Sequence, residues 1–333
     1  VHSTDEIAAH LPTHAEKCIA IGEFDDTATA FGIDRINPTT AINLLHFARG
    51  TKTEYELAIM RLAADRAAAG HVAAEAAFRE GMSEFDIHRA YCKATGHTDP
   101  ELPYGNIVAL NNHGAVLHYT DLDRDAPESP LSFLIDAGAQ VHGYASDITR
   151  TYSYSDQRFK DLIDRMNAME LAIVDKVQAG VDYRELHIGA HKMLAEVLVD
   201  AELAKGDPDT LLETGVTSAF FPHGLGHLLG VQVHDVGGHQ ENESGTIIDP
   251  PSGHPFLRLT RVLEEDMVLT IEPGMYIIDM LLDNLRGTPA EDHINWATVD
   301  WLRPYGGIRI EDDIRVMADG RENLTRDAFE RAS

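Results

Sequence analysis

The sequence predicts an α+β core running from about residue 52 to 325. Long stretches of helical periodicity alternate with short strand signals, and the strand segments are bounded by Gly, Asn and Pro and carry polar residues at their ends. Residues 1–50 read as a short mixed segment. It closes with PTTAINLLHFARG, where Leu44, Leu45 and Phe47 suggest a helix stopped at Gly50. From Thr53 the pattern becomes one long helix, with Leu57, Met60, Ala64, Ala67 and Ala68 at helical spacing. Thr53 and Glu56 form a capping-box pair at its start. Its later turns are rich in small residues, which lets a helix approach a sheet closely. A second helix, about 83–95, follows Ser83 as its cap.

Strand signals come next, in YGNIVALNN, AVLHYT, SFLIDAGAQ and GYASDITRTY. Helical periodicity returns over 157–180, where Gly180 is a natural stop, and over 183–204. After Pro208 the chain is loop- and strand-like again, through FFPHGLGHLLGVQVHD, MVLTIEPGMYI and GIRIEDDIRV. Neither low-complexity sequence nor a short repeat interrupts it.

Composition narrows the class of partner. Of 333 residues, 44% are hydrophobic and 25% charged, with a mean hydropathy of −0.22, as in a soluble domain. Basic residues number 27 against 55 acidic ones, and the net charge of −28 repels nucleic acid and anionic lipid. No apolar run reaches the roughly 18–20 residues that a membrane-spanning helix needs. The first residues show neither the basic start nor the apolar stretch of a signal peptide. They also lack an initiator Met, as a piece of a longer chain would. Cys18 and Cys92 are the only cysteines, too few for a disulfide scaffold and consistent with a reducing cytoplasm. Cys92 sits in a helical pattern, where a buried thiol is expected.

Five segments place a carboxylate or histidine beside strand-forming residues and glycine. Asp136 (IDAGA) and Asp147 (SDITRT) lie eleven residues apart, and a hairpin between adjacent strands brings such a pair together. Two close carboxylates do not both ionise without a compensating cation. FFPHGLGHLLGVQVHD carries His223, His227 and His234, and TIEPG carries Glu272. GIRIEDDIR carries Glu311, with Arg309 two residues earlier on the same strand face. Singly, each is ordinary turn or strand-exit chemistry. The His223/His227 spacing also occurs in helical zinc motifs, but Gly-Leu-Gly disfavours a helix here and no Glu follows His223.

Taken in order, IDAGAQVHGYASDITRTY, PHGLGHLLGVQVHDVG, LEEDMVLTIEPGMY and GGIRIEDDIRV resemble the metal-site motifs of the creatinase/prolidase/methionine aminopeptidase superfamily. The 45 residues from His227 to Glu272 and the 39 from Glu272 to Glu311 resemble bacterial prolidases (Xaa-Pro dipeptidases) and organophosphorus acid anhydrolases. The resemblance covers about residues 36–325. It implies a pita-bread fold, two pseudo-symmetric αββ halves around a metal pair, over residues 51–333, with 1–50 as the remnant of an N-terminal domain and linker helix. Asp136 would chelate one metal and His227 the other, Asp147 and Glu311 would bridge both, and Glu272 would complete the second metal's set of ligands. Four carboxylates and one imidazole suit Mn(II), with Co(II) or Zn(II) as alternatives, and two such ions generate a bridging hydroxide near neutral pH.

The resemblance also implies that His118 assists the leaving group and that His234 polarises the scissile carbonyl. Arg309 would orient Glu311 or another ligand. His223, Tyr104 and Val233 would line the substrate pocket, and Arg258 would bind a dipeptide's terminal carboxylate. The expected substrate is a small Xaa-Pro peptide, with a possible side activity on organophosphorus triesters, in a cytoplasmic homodimer. The alternatives are an aminopeptidase P-type exopeptidase on longer peptides and a non-catalytic binding protein on the same scaffold.

Overall fold

Thr53 opens the principal helix as its capping box predicts. In the computed structural model, which describes residues 6–11, 17–23 and 26–332, Glu56 N–H donates to the Thr53 hydroxyl and Thr53 N–H donates to the Glu56 carboxylate at 2.7 Å. The helix runs Glu54–Arg79 and buries Leu57, Met60, Ala64, Ala67 and Ala68. Gly70 lets the next helix, Glu84–Thr95, approach, because a Cβ there would lie 2.6 Å from both Tyr91 and Thr95. That second helix is capped by Ser83 and ends at Gly96, whose left-handed φ of 69° suits glycine.

Five strands follow: β1 (Ile107–Leu110), β2 (Ser132–Asp136), β3 (Gln140–Val141), β4 (Tyr144–Ala145) and β5 (Thr149–Ser153). β1, β2 and β5 form one antiparallel sheet in that order, with Asp136 opposite Thr149. β3 and β4 make a small hairpin in the β2–β5 connection. The expected strand at AVLHYT is not formed. Asn111 takes a left-handed φ of 55°, and its side-chain oxygen accepts from the N–H groups of Leu131 and Ser132. The chain therefore turns through a 3-10 segment, Asn111–Ala115, which leaves His118 exposed in a turn.

The second half repeats the plan. Helices Gln157–Val174 and Tyr183–Asp200, capped by Asp156 and Asp182, are each shorter at the C-terminal end than their periodicity suggests. β6 (Val268–Ile271), β7 (Gly274–Tyr276), β8 (Gly307–Arg309), β9 (Asp312–Met317) and β10 (Gly320–Asn323) follow. They pair as β10-β9-β6 and β7-β8. Short helices that the sequence did not announce fill the stretch between β7 and β8. A bridge between Thr149 and Glu311 joins the two halves at the centre. The C-terminal helix, Leu324–Ala332, closes the structure by packing Leu324 and Ala328 against Leu57, Met60 and Ala64. Among the described residues no helix is long and apolar enough to cross a membrane, and both cysteines are half-buried.

The long helix also buries His71, whose Nε2 donates to the Ala137 carbonyl at 2.9 Å. Burial holds its pKa down to about 3. The unfolded chain binds this proton below the ordinary value near 6.5, the folded one only near 3, so the native state loses stability as pH falls between them. His71 alone is expected to cost about 2 kcal/mol between pH 7 and pH 5. A Tm series over that range checks this; a flat profile would contradict it.

Candidate metal centre

Asp136, Asp147, His227, Glu272 and Glu311, spread over 175 residues of sequence, converge where the two halves meet. Asp136 ends β2, and Asp147 precedes β5 by two residues, so the hairpin turns both carboxylates inward. The Tyr104 hydroxyl spans them, donating to Asp136 Oδ1 at 2.8 Å and also reaching Asp147 Oδ1. His227 Nε2 lies 3.4 Å from Asp147 Oδ2 and 3.6 Å from Glu272 Oε1. Its Nδ1 donates to the Leu228 carbonyl at 3.0 Å, which leaves Nε2 facing the carboxylates. Glu311 accepts from the Thr149 hydroxyl at 2.6 Å across the central bridge. One donor atom each from Asp147, His227 and Glu311 falls within 4.8 Å of the others.

Electrostatics leave the constellation short of positive charge. Burial pushes Glu272 up to about 7 and Glu311 well above the carboxylate range, each worsened by neighbouring acids. Burial also raises Asp136, against the pull of Arg309. For Asp147 the burial penalty is outweighed by His227 and Tyr104, so it stays below its usual value. His227 is desolvated too, yet Asp147 and Glu272 hold it above its ordinary range. Four packed carboxylates thus face a single guanidinium and one imidazole. A hard, mostly oxygen donor set with that excess of negative charge fits a pair of divalent ions.

The remaining expected residues surround this core. Arg309 donates to Asp136 Oδ2 at 2.7 Å and to the Tyr276 hydroxyl at 2.8 Å, so it aims Asp136 rather than Glu311. His223 meets Tyr276 through Nε2 at 2.9 Å, and burial followed by Arg309 depresses its pKa to about 3. The ring of His234 stands edge-on to His227, centroids 4.4 Å apart, and burial lowers it to about 4. His118 is near enough for its charge to depress both His223 and His234. Arg258 is exposed in a loop on the His234 side, and its charge also depresses His234. Val233 packs its side chain on the Leu57–Met60–Leu229 cluster, at the wall rather than among the acids. Tyr104 does more than line a pocket, since it couples two carboxylates.

Several contributors were not singled out from sequence. Thr149 and Asp313 were legible in principle, each two residues along from an expected acid and so on the same strand face. Asp313 accepts the Asp147 N–H at 3.1 Å. Tyr276 and Thr270, which receives the His227 N–H at 3.2 Å, had no local signal. Asp235, buried beside His234, pairs with Arg49 and, at 3.3 Å, with Lys52, tying the His234 loop to the segment that precedes the principal helix.

The sequence matches the model of metallopeptidase family M24 over residues 58–318. The chain belongs to that family. This metallopeptidase is 52% identical to a Xaa-Pro dipeptidase of Shewanella loihica over 97% of its length and 73% of the relative's. It is 51% identical to one of Shewanella baltica over the same shares. Among solved structures it resembles the low-pH form of Escherichia coli aminopeptidase P, with a TM-score of 0.73 and 25% identity over 99% of this chain and 74% of that one. It also resembles the Pseudomonas aeruginosa aminopeptidase PepP, with a TM-score of 0.69 and 28% identity over 90% of this chain and 63% of that one. The two-half architecture is therefore the pita-bread fold of this metallopeptidase family.

Proposed function

We propose that this metallopeptidase is a Xaa-Pro dipeptidase, hydrolysing dipeptides that end in proline. The observation that carries the reading is the 52% identity to a Xaa-Pro dipeptidase across 97% of the chain. The convergence of five donor residues supports it. Asp136, Asp147, His227, Glu272 and Glu311 would hold two divalent ions. Bound there, the ions would supply an activated water and polarise the scissile carbonyl. The chain's own groups do the rest. Arg309 aims Asp136 and offsets part of the burial that raises it, Tyr104 holds Asp136 to Asp147, and Thr149 holds Glu311. His234, neutral near pH 7, donates an N–H to the oxygen that becomes negative in the tetrahedral intermediate. His118 serves the leaving nitrogen, and His223, Tyr104 and Val233 bound the pocket.

Proline at the second position makes the scissile amide tertiary and fixes its φ, so a dedicated pocket is needed. Arg258 supplies the selectivity for a dipeptide by pairing with the free carboxylate of that proline. Arg258→Ala is expected to raise KM for Ala-Pro about 10- to 100-fold, the loss of one charge-assisted hydrogen bond. Ala-Pro amide, which has no such carboxylate, should be cleaved equally by both proteins. An equal KM increase for both substrates would remove Arg258 from this role.

The same reading carries Mn(II) as the working ion, with Co(II) or Zn(II) as substitutes, on the oxygen-rich donor set. It carries a homodimer, a cytoplasmic location and a side activity on organophosphorus triesters through the same nucleophile. The test is cleavage of Ala-Pro, Ala-Pro-Gly and Ala-Ala by chelator-stripped protein before and after Mn(II). Metal-restored cleavage of Ala-Pro alone is expected. Cleavage of Ala-Pro-Gly would make it an aminopeptidase P-type enzyme, and silence on all three a non-catalytic scaffold.

A further inference from the structure

Beyond the carboxylates lies a second cluster made only of imidazoles. His187 and His191 stand four residues apart on the Tyr183–Asp200 helix, so both project from one face. His254, from the long loop that precedes β6 and leads to Arg258, turns toward them. One nitrogen from each of the three lies within 4.8 Å of the others. His187 Nε2 and His254 Nδ1 are 2.9 Å apart. His187 and His191 are each only 1% exposed.

Hydrogen bonding within the protein does not satisfy this cluster. His191 Nδ1 is taken by the Thr217 hydroxyl at 3.1 Å, while His191 Nε2 is buried with no partner among the described residues. His187 Nδ1 is buried without a partner as well. An orphaned nitrogen of this kind is costly in a core, and His191 Nε2, in one contact group with His187 and His254, calls for a missing ligand. Burial keeps the His187 and His191 pKa values near 2 and 3, so their lone pairs are free of protons.

We propose that His187, His191 and His254 hold a divalent cation of the zinc class, at a site separate from the carboxylate centre. Three neutral imidazoles with no carboxylate suit Zn(II) or Co(II) and disfavour Mn(II), the reverse of the preference at the carboxylates. A tetrahedral ion with bonds of about 2.0–2.1 Å holds its nitrogens roughly 3.3 Å apart, so the His187–His254 pair must open by only about half an ångström. The Thr217 hydroxyl already acts as the outer partner that metal-bound histidines use, fixing His191 with Nε2 inward. The ion would pin the loop bearing His254 and Arg258 to the Tyr183–Asp200 helix. Phe221, stacked on His191 at 4.8 Å and edge-on to His223 at 4.7 Å, connects that anchor to the substrate side.

Metal uptake by chelator-stripped full-length protein tests this, with Zn(II) and Mn(II) separately, for the wild type, His254→Gln and His191→Phe. His254 is only partly buried, and phenylalanine at 191 keeps the stack on Phe221, so both variants retain the core. The wild type should bind one Zn(II) per chain more than either variant, with Mn(II) uptake the same in all three. Co(II) should show the intense visible bands of a tetrahedral nitrogen site in the wild type and lose them in both variants. Equal Zn(II) uptake by all three proteins would overturn the proposal. The comparison between variants does not depend on how many ions the carboxylates hold, so a failure here is distinct from a failure of the dipeptidase reading.

Discussion

Asp147→Asn is expected to lower kcat for Ala-Pro by about 10³-fold or more, even with Mn(II) in excess. Asp147 is the acid that the site keeps most readily ionised, with one oxygen on Tyr104 and the other 3.4 Å from His227 Nε2. An amide of the same shape removes a charge from the middle of the donor set and points N–H groups at Tyr104 or His227. The protein should nonetheless fold. In the absence of metal the substitution relieves repulsion on Glu272, Asp136, Glu311 and Asp313, all of which Asp147 raises. The metal-free variant should therefore melt no lower than the metal-free wild type. Near-normal turnover at ordinary metal concentration would end the assignment of Asp147 as a bridging ligand.

Gly226→Ala should damage both stability and activity, through packing alone. A Cβ at 226 would sit 2.1 Å from the Thr270 carbonyl oxygen and 2.4 Å from the Tyr183 hydroxyl, which themselves share a 2.8 Å hydrogen bond. Neither neighbour is the loose end of a flexible chain. Relief requires the segment to move away from β6, and the next residue is His227, whose backbone is bonded to Thr270 on both sides. A destabilisation of about 3 kcal/mol and an activity loss on the order of 10²-fold are expected. Gly189→Ala is the matched control. Nothing lies within 4 Å of its Cβ position, and it sits inside the Tyr183–Asp200 helix. There alanine should stabilise by up to about 1 kcal/mol. Thermal melts and Ala-Pro kinetics on the pair decide the matter, and a Gly226→Ala protein as stable and active as the wild type would refute the close-packing account.

Local chemistry was legible wherever one residue answers a neighbour a few positions away. Thr53 with Glu56 and Ser83 with Asp86 mark helix starts because the hydrogen bonds they make close within one turn. The four acids and one imidazole of the candidate centre were singled out only by their order along the chain, which resembles the family's motifs, since singly each is ordinary turn or strand-exit chemistry. Helix ends and the 3-10 turn before His118 were not legible. They depend on a left-handed Asn111 and on backbone N–H groups brought in from twenty residues away.

The sequence by itself determined the capped helix starts and most of the strands, because those follow from residue type and periodicity, and the order of the acids and His227 along the chain, which resembles the family's motifs. Tertiary structure alone decided how the donors meet. Arg309 shares a strand face with Glu311 yet aims at Asp136, because β8 lies beside β5 and across from the end of β2. Tyr104 reaches two aspartates that no spacing links to it. His254 completes a cluster with two histidines more than sixty residues earlier. Each of these contacts is made by packing elements distant in sequence, across the two halves for Arg309 and within one half for Tyr104 and His254, and the energy that selects it comes from burial of surfaces.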